Sequence, residues 1–315
     1  MKNDINNFNS SNLLNRNSYF SYLWSRIVKY RAAYILILPF MAIFLVFTVY
    51  PVIQAMYYSF TQFNMVSKPV FIGFENYKNL FLNDPIFPIA LRNTLLFAAI
   101  TGPVSYMMSL TVAWFVNEFT PKVRAFLTLL FYAPTLANIY MVWTLIFSGD
   151  ENGILNAYLL KIGLTDHANQ WLTDPTYIVP IVIIVILWSS LGTSFLSFIA
   201  GYQNVDRTLY EAGAVDGVKN RWQELWYITL PVMRPQLLFG AVMSITNSFG
   251  IGDAITALCG FPSTNYAAHT LMHHLNDYGN IRFQMGYACS IATILFLTMI
   301  IVNKIIHNLL QKVGE

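Results

Sequence analysis

Three histidines in the last third of the chain have the types and spacing that could bind a metal ion. His269 and His273 are four residues apart, which places both on one face of a helix, and His274 follows directly. A zinc site needs further ligands at suitable spacing, and no Cys, Asp or Glu with that spacing accompanies them before Asp277. We therefore expect no metal site here and assign the histidines to a loop that leads to the last apolar segment.

A second candidate for chemistry is Asp253, a carboxylate within the long apolar run from Gln236 to Asn276. Ionisable groups inside a membrane are costly, so they are candidates for a functional role by default. Gly250 and Gly252 lie within three residues before Asp253, and they could open a helix and expose backbone carbonyls beside the carboxylate. Hydrogen bonding between helices, or a position near the membrane surface, explains Asp253 equally well.

The elements that must position these residues are membrane helices. The chain of 315 residues is 56% hydrophobic and 10% charged, whereas soluble domains carry about 25% charged residues. A net charge of +3 over this length makes no polyanion-binding surface, which argues against a nucleic-acid partner. The two cysteines lie in apolar stretches and form neither a disulfide framework nor a Cys-rich metal site.

Six segments are long and apolar enough to cross a bilayer, whose hydrocarbon core of about 30 Å needs about 20 apolar residues in a helix. Only the fifth segment has a charged residue, Asp253, well inside it. The predicted fold is therefore an all-α integral membrane protein with six transmembrane helices in a domain over residues 32–310. The spans are predicted at about 34–60, 93–117, 125–149, 176–203, 236–260 and 283–305.

The distribution of Lys and Arg predicts the orientation of these spans, because cytoplasmic loops carry the excess of basic residues. Six spans place both termini on one side, and thirteen basic residues fall on that side: Lys2, Arg16, Arg26, Lys29, Arg31, Lys122, Arg124, Arg207, Lys219, Arg221, Arg234, Lys304 and Lys312. Five fall opposite: Lys68, Lys78, Arg92, Lys161 and Arg282. We therefore expect both termini in the cytoplasm, with the first span retained rather than cleaved as a leader.

Residues 1–31 form a cytoplasmic N-terminal region in this prediction. Residues 1–17 contain seven asparagines and few apolar groups, a composition typical of a disordered tail. From residue 19 to 30, aromatic and aliphatic residues alternate with basic ones, which suits an amphipathic helix on the cytoplasmic membrane surface. Basic residues that merely flank a membrane span explain the same pattern equally well.

The loop between the fourth and fifth spans, residues 204–235, is long for a connection between bundled helices. Asp206 is predicted to cap a short helix that ends at Asp216-Gly217. A second helix is predicted to begin near Asn220, and Pro231 and Pro235 to mark the bend into the fifth span. A compact, partly apolar element of this kind is typical of a docking site for another protein.

The same loop resembles a known family. Its segments Glu211-Ala212-Gly213, Asp216-Gly217 and Ile228-Thr229-Leu230-Pro231 are similar to the EAA loop of binding-protein-dependent ABC importer permeases. Further stretches resemble the sugar-importer branch, exemplified by maltose and glycerol-3-phosphate permeases, over roughly residues 34–305. They are Gly73-Phe74-Glu75-Asn76-Tyr77, Asp84-Pro85, Asn93-Thr94, Asn169-Gln170-Trp171-Leu172, Asp174-Pro175 and Phe283-Gln284-Met285-Gly286-Tyr287-Ala288.

The resemblance implies a non-enzymatic permease subunit in a bacterial plasma membrane. Its 204–235 loop would dock on a cytoplasmic ATPase through Tyr210, Glu211, Ala212, Gly213, Asp216, Gly217, Leu230 and Pro231. The partners implied are a homologous second permease subunit, two ATPase subunits, an extracytoplasmic solute-binding protein, a sugar and membrane lipid. The resemblance favours a heterodimer of the two permease subunits. ATP and Mg²⁺ would be bound by the ATPases, because no glycine in this chain is followed by lysine as a phosphate loop requires.

Two features depart from the family pattern. Gly213 stands where the family usually has alanine, which is expected to loosen a short helix by about 1 kcal/mol. The distance from Gly217 to Ile228 is one residue longer than expected. Both features concern the register of the second cytoplasmic helix, while Glu211, Gly217 and Pro231 remain in place.

Sugar import requires hydrogen-bonding and aromatic groups along the path. The candidate path residues are Asn138, Tyr140, Trp143, Asn247, Ser248 and Asp253. The outward segments 61–92 and 150–175 are expected to dock the solute-binding protein, with Asn76, Tyr77, Asp84, Asp150, Glu151, Asp166, Trp171 and Asp174 on that surface. Twelve methionines and many aromatics favour an adaptable path for an oligosaccharide.

Two other classes of protein stay open as alternatives. An ion-coupled secondary transporter would carry several intramembrane carboxylates or an inverted repeat, and the sequence has one such carboxylate and no convincing repeat. A membrane enzyme acting on lipid-linked substrates would cluster acidic or His residues at one interface. The cytoplasmic loops contain only scattered ones.

Overall fold

The computed structural model describes residue 26 and residues 28–137 and 140–311. The predicted tail over residues 1–17 and the candidate path residue Asn138 lie outside the described residues, as does most of the predicted surface helix over residues 19–30. The chain divides into two compact units, residues 1–57 and residues 58–315. Helix α1, Arg31–Tyr58, makes up nearly all of the described part of the first unit.

The second unit is built almost entirely of helices. A two-stranded antiparallel hairpin, β1 (Thr61–Gln62) and β2 (Val70–Phe71), comes first. The helices that follow are α2 (Glu75–Leu82), α3 (Phe87–Asn117), α4 (Pro121–Ala137), α5 (Tyr140–Ile146), α6 (Ile154–Lys161), α7 (Pro175–Trp188), α8 (Thr193–Gln203), α9 (Arg207–Val215), α10 (Arg221–Val232), α11 (Arg234–Phe249), α12 (Gly252–Cys259), α13 (Leu271–Asn276) and α14 (Met285–Gln311).

Among the described residues, four helical stretches are long and apolar enough to cross a membrane: Arg31–Tyr58, Phe87–Asn117, Pro175–Gln203 and Met285–Asn308. Two pairs of shorter helices pass the same test together but are sharply bent. The pair α4 and α5 is bent by 79°, and the pair α10 and α11 by 82°. Counting each bent pair as one span gives up to six among the described residues. The second pair does not coincide with a predicted span, because α10 lies in the 204–235 loop and only α11 falls in the predicted fifth span, 236–260.

The helix bounds differ from the predicted spans where charge or backbone chemistry acts locally. Helix α3 begins at Phe87 rather than at residue 93, because Pro88 favours the first turn of a helix and Arg92 is tolerated close to its start. The fifth predicted span, 236–260, is divided at Gly250 into α11 and α12. This break lies where the two glycines before Asp253 predicted an opened helix.

The core of the second unit forms around α3, α8 and α11. Phe195 and Phe198 of α8 are fully buried in it, together with Ala113 of α3. Gly240 of α11 faces Phe198 so closely that an added Cβ atom would collide with its ring. Small residues allow membrane helices to approach in this way. Ser194 adds polar contacts between α8 and α11, donating a hydrogen bond to the Gly240 carbonyl oxygen over 3.1 Å.

Two further apolar clusters hold the remaining helices. Phe97 of α3, Ile178 and Val182 of α7 and Ile255 of α12 are fully buried in one of them. In the other, Leu80 of α2, Phe87 and Ala90 of α3, Leu271 of α13 and Ile291 of α14 are fully buried or nearly so. The helix ends that carry the 204–235 loop therefore lie at one end of this unit, and α2, α13 and the hairpin lie at the other.

Candidate functional site

The 204–235 loop folds into two short helices, α9 and α10, as its sequence predicts. Asp206 is the N-cap of α9, and its Oδ1 accepts a hydrogen bond from the Thr208 amide over 3.0 Å. This bond to the charged form lowers the pKa of the exposed Asp206 carboxyl. Asn220 is the N-cap of α10, and its Oδ1 accepts from the Gln223 amide over 2.9 Å. Short polar side chains at both positions satisfy amides that a helix start leaves unpaired.

The end of α9 depends on Gly217. The Val218 amide donates to the Gly213 carbonyl over 2.9 Å, and the Gly217 amide donates to the Ala214 carbonyl over 3.3 Å. These two bonds define a Schellman motif, which needs a left-handed residue just beyond the helix. Gly217 has a φ of +95°, in the region that favours glycine. The predicted turn at Asp216-Gly217 is confirmed.

Gly213 faces the second helix of the loop. A Cβ atom at Gly213 would lie 2.6 Å from Cδ1 of Ile228 on α10. Nearby, the Tyr210 and Thr229 hydroxyls are 2.9 Å apart and share a hydrogen bond. The sequence indicated only that Gly213 loosens α9. The structure gives it a second role, because its small size lets α9 and α10 pack closely.

Helix α10 is held against the end of α3 by ionic and aromatic contacts. The Arg221 guanidinium contacts the Glu118 carboxylate over 3.3 Å and the Glu224 carboxylate over 2.8 Å. The Trp222 ring lies 4.7 Å from the Trp114 ring, centroid to centroid. Exposed ion pairs contribute little individually. Together with the buried Leu225 and Thr229, these contacts fix the position of the loop on the bundle.

The bend from the loop into α11 lies at Met233. A π-helical turn over Leu225–Thr229 ends two residues before Pro231, which has no amide hydrogen to continue the regular bonding. Pro231 does not end α10, which continues to Val232. Pro235 then occupies the first turn of α11, which leaves at 82°.

A row of residues on α9 remains exposed. Glu211, Ala212, Ala214, Val215 and Asp216 are all accessible, and Val215 is 88% exposed. Beside them, a cavity of about 700 Å³ lies between the loop and the start of α4, with Glu211, Arg124 and Arg207 among its lining residues. Of the predicted coupling residues, Gly213 is buried, Tyr210 is partly buried, and Glu211, Ala212, Asp216 and Gly217 are exposed.

The candidate path residues are divided between an exposed face and the core. Helix α5 packs against α12, so Tyr140 and Trp143 lie in the same cluster as the start of α12. Trp143 stacks on Phe147 at 5.6 Å and is part of this core. Asn247 and Asp253 are exposed, on either side of the break at Gly250. Ser248 is buried beside Gly102, and its hydroxyl donates to the Ile245 carbonyl over 2.7 Å.

At the other end of this unit, the structure corrects part of the expected docking surface. Asp84 and Asn76 are buried rather than exposed. Asn76 Nδ2 donates to the Ser59 and Thr61 carbonyl oxygens, each over 2.9 Å. Asn76 and Asp84 were expected on the surface because they are short polar residues in an outward segment. They are buried because Asn76 bonds to backbone carbonyls and Asp84 to the side chains of His274, Tyr278 and Tyr287. Asp150, Glu151 and Asp166 are exposed, and Tyr77, Trp171 and Asp174 are partly buried.

Asp84 is the centre of a buried hydrogen-bond network that the sequence did not indicate. Its Oδ2 accepts from His274 Nε2 over 2.9 Å, from the Tyr287 hydroxyl over 2.8 Å and from the Tyr278 hydroxyl over 3.2 Å. Its Oδ1 accepts from the Ile86 and Phe87 amides. Burial alone would raise the pKa of the Asp84 carboxyl. The hydrogen bond from Tyr287, the nearby His274 and the Ile86 amide outweigh this effect, so the pKa is lowered and the carboxylate is ionised.

The three histidines lie in this buried region. Burial lowers the pKa of His269 to about 3 and that of His273 to about 4. Burial also lowers the pKa of His274 against the opposing effect of Asp84, so His274 is neutral and donates its Nε2 proton to Asp84. Among the described residues, no group of three His, Cys, Asp or Glu side chains has a geometry that could hold a metal ion.

Comparison with known proteins identifies relatives over most of the chain. Residues 105–313 match the family of binding-protein-dependent transport system inner membrane components. The arabinooligosaccharides transport system permease protein AraP of Bacillus subtilis is 30% identical over 280 residues, covering 88% of this chain and 88% of that protein. The lactose transport system permease protein LacF of Rhizobium radiobacter is 30% identical over 283 residues, covering 86% and 91%.

A solved structure has the same fold. A chain of a bacterial ABC transporter involved in the import of the acidic polysaccharide alginate superposes with a TM-score of 0.75 and 23% sequence identity. The superposition covers 93% of this chain and 100% of that one. A structure of the alginate transporter in complex with an alginate pentasaccharide-bound periplasmic protein gives a TM-score of 0.73, covering 92% and 97%.

Proposed function

This chain belongs to the family of binding-protein-dependent transport system inner membrane components, and we propose that it forms half of the translocation path of an ATP-driven importer for an oligosaccharide. The observation that carries this proposal is the compact 204–235 loop with its exposed row from Glu211 to Asp216. The carbohydrate substrate is supported by relatives named for arabinooligosaccharide and lactose transport.

The energy for transport comes from separate ATPase subunits in this proposal. The sequence has no glycine followed by lysine, so it lacks a phosphate loop of the usual type. Two cytoplasmic ATPases would therefore bind ATP and Mg²⁺ and close on each other, and this chain would transmit that closure to its membrane helices.

The 204–235 loop is the element that receives this movement. Val215 and Ala212 offer an apolar contact, and Glu211 offers a charge at its edge, which suits a groove in a partner protein. The Schellman motif at Gly217 and the close approach of Gly213 to Ile228 make the two helices one rigid unit. The continuous path from α10 through the 82° bend into α11 would carry the movement to the break beside Asp253.

The two ends of the helix bundle face different partners in this proposal. The excess of basic residues on the side of the termini favours a cytoplasmic location for the 204–235 loop and for both termini. A solute-binding protein would then dock at the opposite end, as the complex with a periplasmic protein in the alginate system supports. A homologous second permease subunit completes the path, and we favour a heterodimer.

The substrate path in this proposal runs past the break between α11 and α12. Asn247 and Asp253 are exposed on either side of it and can bond to sugar hydroxyl groups. Ser248 and Trp143 support these residues from the core rather than contacting the substrate. Tyr140, on α5, lies at the edge of the same cluster.

Uptake by proteoliposomes tests the proposed function. The chain is coexpressed with the proteins encoded beside it, reconstituted, and supplied with lactose, arabinotriose or maltotriose, internal ATP and the solute-binding protein. We expect uptake of at least one of these saccharides, dependent on both ATP and the binding protein. Uptake driven by an ion gradient without ATP would contradict the proposal and favour a secondary transporter.

A further inference from the structure

A groove of about 1090 Å³ lies at the end of the second unit opposite to the 204–235 loop. Its walls are the β1–β2 hairpin, helix α2 with the residues that follow it, and the segment from Tyr278 to Tyr287. We call it the amide groove. Sites for small organic ligands typically enclose about 300–1,000 Å³, so the amide groove is large enough for a ligand of several rings.

Helix α2 presents a polar stripe to the amide groove. Glu75, Asn79 and Asn83 follow each other at intervals of four residues, which places them on one side of the helix, and all three line the groove. Asn76 and Leu80 are buried, and Asn76 also lines the groove. Glu75, Asn79 and Asn83 therefore form a polar edge of the groove.

Six carboxamide side chains line the amide groove: Gln62, Asn64, Asn76, Asn79, Asn83 and Gln284. Two of them already serve the protein, because Asn76 donates to two backbone carbonyls and Asn64 accepts from Val66 and Ser67. Asn83 donates one bond to Asn79. This leaves Asn79 Nδ2 and Asn83 Oδ1 available, together with the whole side-chain amides of Gln62 and Gln284, which make no hydrogen bond in the described part of the chain.

The free groups match a neutral polyhydroxylated ligand better than an ion. A carboxamide both donates and accepts hydrogen bonds, and so does a sugar hydroxyl group. The charged lining residues disfavour an anion, because Glu75 and Asp84 are carboxylates and the Arg282 guanidinium pairs with Asp277 over 2.6 Å. The Asp84 carboxylate already accepts five hydrogen bonds, so it is not free to bind a cation. Glu75 is the remaining charged residue in the lining.

The groove is also rigid before any ligand binds. Asp84 joins the start of α3 to His274, Tyr278 and Tyr287, and it lines the groove together with the two tyrosines. The Gly286 amide donates to the Phe63 carbonyl over 3.0 Å, which ties the hairpin wall to the opposite wall. A site that is fixed in advance loses less conformational entropy on binding.

We propose that the amide groove is a binding site for a neutral oligosaccharide, outside the path past Asn247 and Asp253. This inference rests on the proposed function for its substrate class and adds a second place where that substrate is held. The groove would retain a saccharide at the end of the subunit where the solute-binding protein docks, through Asn79, Asn83, Gln62 and Gln284.

Saccharide binding in the absence of the solute-binding protein tests this proposal. The complete importer is placed in lipid nanodiscs, and the probe is whichever of lactose, arabinotriose and maltotriose it takes up in the proteoliposome assay. Calorimetry then gives Kd for wild type and for the double variant Asn79→Ala/Gln284→Ala. Loss of two hydrogen bonds is expected to weaken binding about 20-fold. Asn280→Ala, an exposed amide of the same segment outside the groove lining, is the matched control with unchanged Kd.

Three results would overturn the proposal. One is intact uptake by wild type with no saccharide binding in nanodiscs, which leaves the transport function standing. Another is binding that the double variant does not weaken, which places the saccharide in the path. The third is a double variant that loses association with the solute-binding protein while saccharide binding is unchanged, which makes the groove a protein-docking surface. Absence of uptake of all three saccharides by wild type would instead contradict the proposed function.

Discussion

Removal of the Asp84 carboxylate is expected to destabilise the chain strongly. Asp84 accepts five hydrogen bonds, of which two come from backbone amides at the start of α3 and three from the side chains of His274, Tyr278 and Tyr287. Asp84→Ala leaves the donors at this site without their acceptor. His274 is 1% exposed and has no access to solvent that could replace the lost bond.

The magnitude follows from the burial of these donors. Each buried donor left unpaired costs about 1–3 kcal/mol, and the neutral His274 ring is the most deeply buried side-chain donor to Asp84. Tyr278 and Tyr287 are partly exposed and can turn toward water, so we expect about 4 kcal/mol in total for Asp84→Ala. Asp84→Asn retains one carbonyl oxygen and should cost about half as much.

Thermal unfolding of the purified chain in detergent at neutral pH measures this loss. The Asp166→Asn variant is the control, because Asp166 is exposed and should tolerate the change without a shift in Tm. We expect the order of Tm to be wild type and Asp166→Asn, then Asp84→Asn, then Asp84→Ala. An Asp84→Ala variant as stable as the control would show that this network does not hold α2, α3, α13 and α14 together.

Three more predictions concern the described helices. Gly240→Ala should lower Tm and Gly250→Ala should not, because a Cβ atom collides with the Phe198 ring only at Gly240 and has its nearest contact 3.7 Å away at Gly250. Gly217→Ala should cost about 1 kcal/mol and Gly217→Asn less, since only glycine and, to a degree, asparagine adopt a left-handed backbone readily; thermal unfolding of both variants measures the difference. Burial lowers the pKa of His273 from 6.5 to about 4, so the unfolded chain takes up this proton first and the free energy of unfolding should fall as the pH falls from 6.5 toward 4. That slope, measured by unfolding across this pH range, should be smaller in His273→Gln.

Local signals in the sequence predicted the 204–235 loop well. Asp206, Asn220 and Gly217 each act through bonds within a few residues of themselves, so residue type and spacing suffice to place the helix boundaries. The apolar segments were likewise evident, because a membrane span must satisfy its backbone within one helix. The break before Asp253 followed from two glycines at neighbouring positions.

Contacts between distant residues could not be predicted in this way. The Asp84 network joins residues about 190 positions apart, and nothing near Asp84 indicates that His274 will face it. The close fit of Gly213 to Ile228 and of Gly240 to Phe198 also depends on how helices pack. A glycine that looks unfavourable for its own helix can thus be required by the neighbouring one. The burial of Asn76 and Asp84, against expectation, has the same origin.

Copurification of an ATPase with loop variants tests whether the 204–235 loop docks an ATPase subunit. Val215 on α9 is 88% exposed and Val66 in the hairpin at the other end of the unit is 93% exposed, so both valines tolerate a polar replacement in the folded chain. The chain is coexpressed with its neighbouring genes and purified as wild type, Val215→Asp or Val66→Asp. The account predicts that ATPase activity copurifies with wild type and Val66→Asp and is lost from Val215→Asp. Wild type that retains no ATPase, yet transports alone in liposomes under an ion gradient, would contradict it.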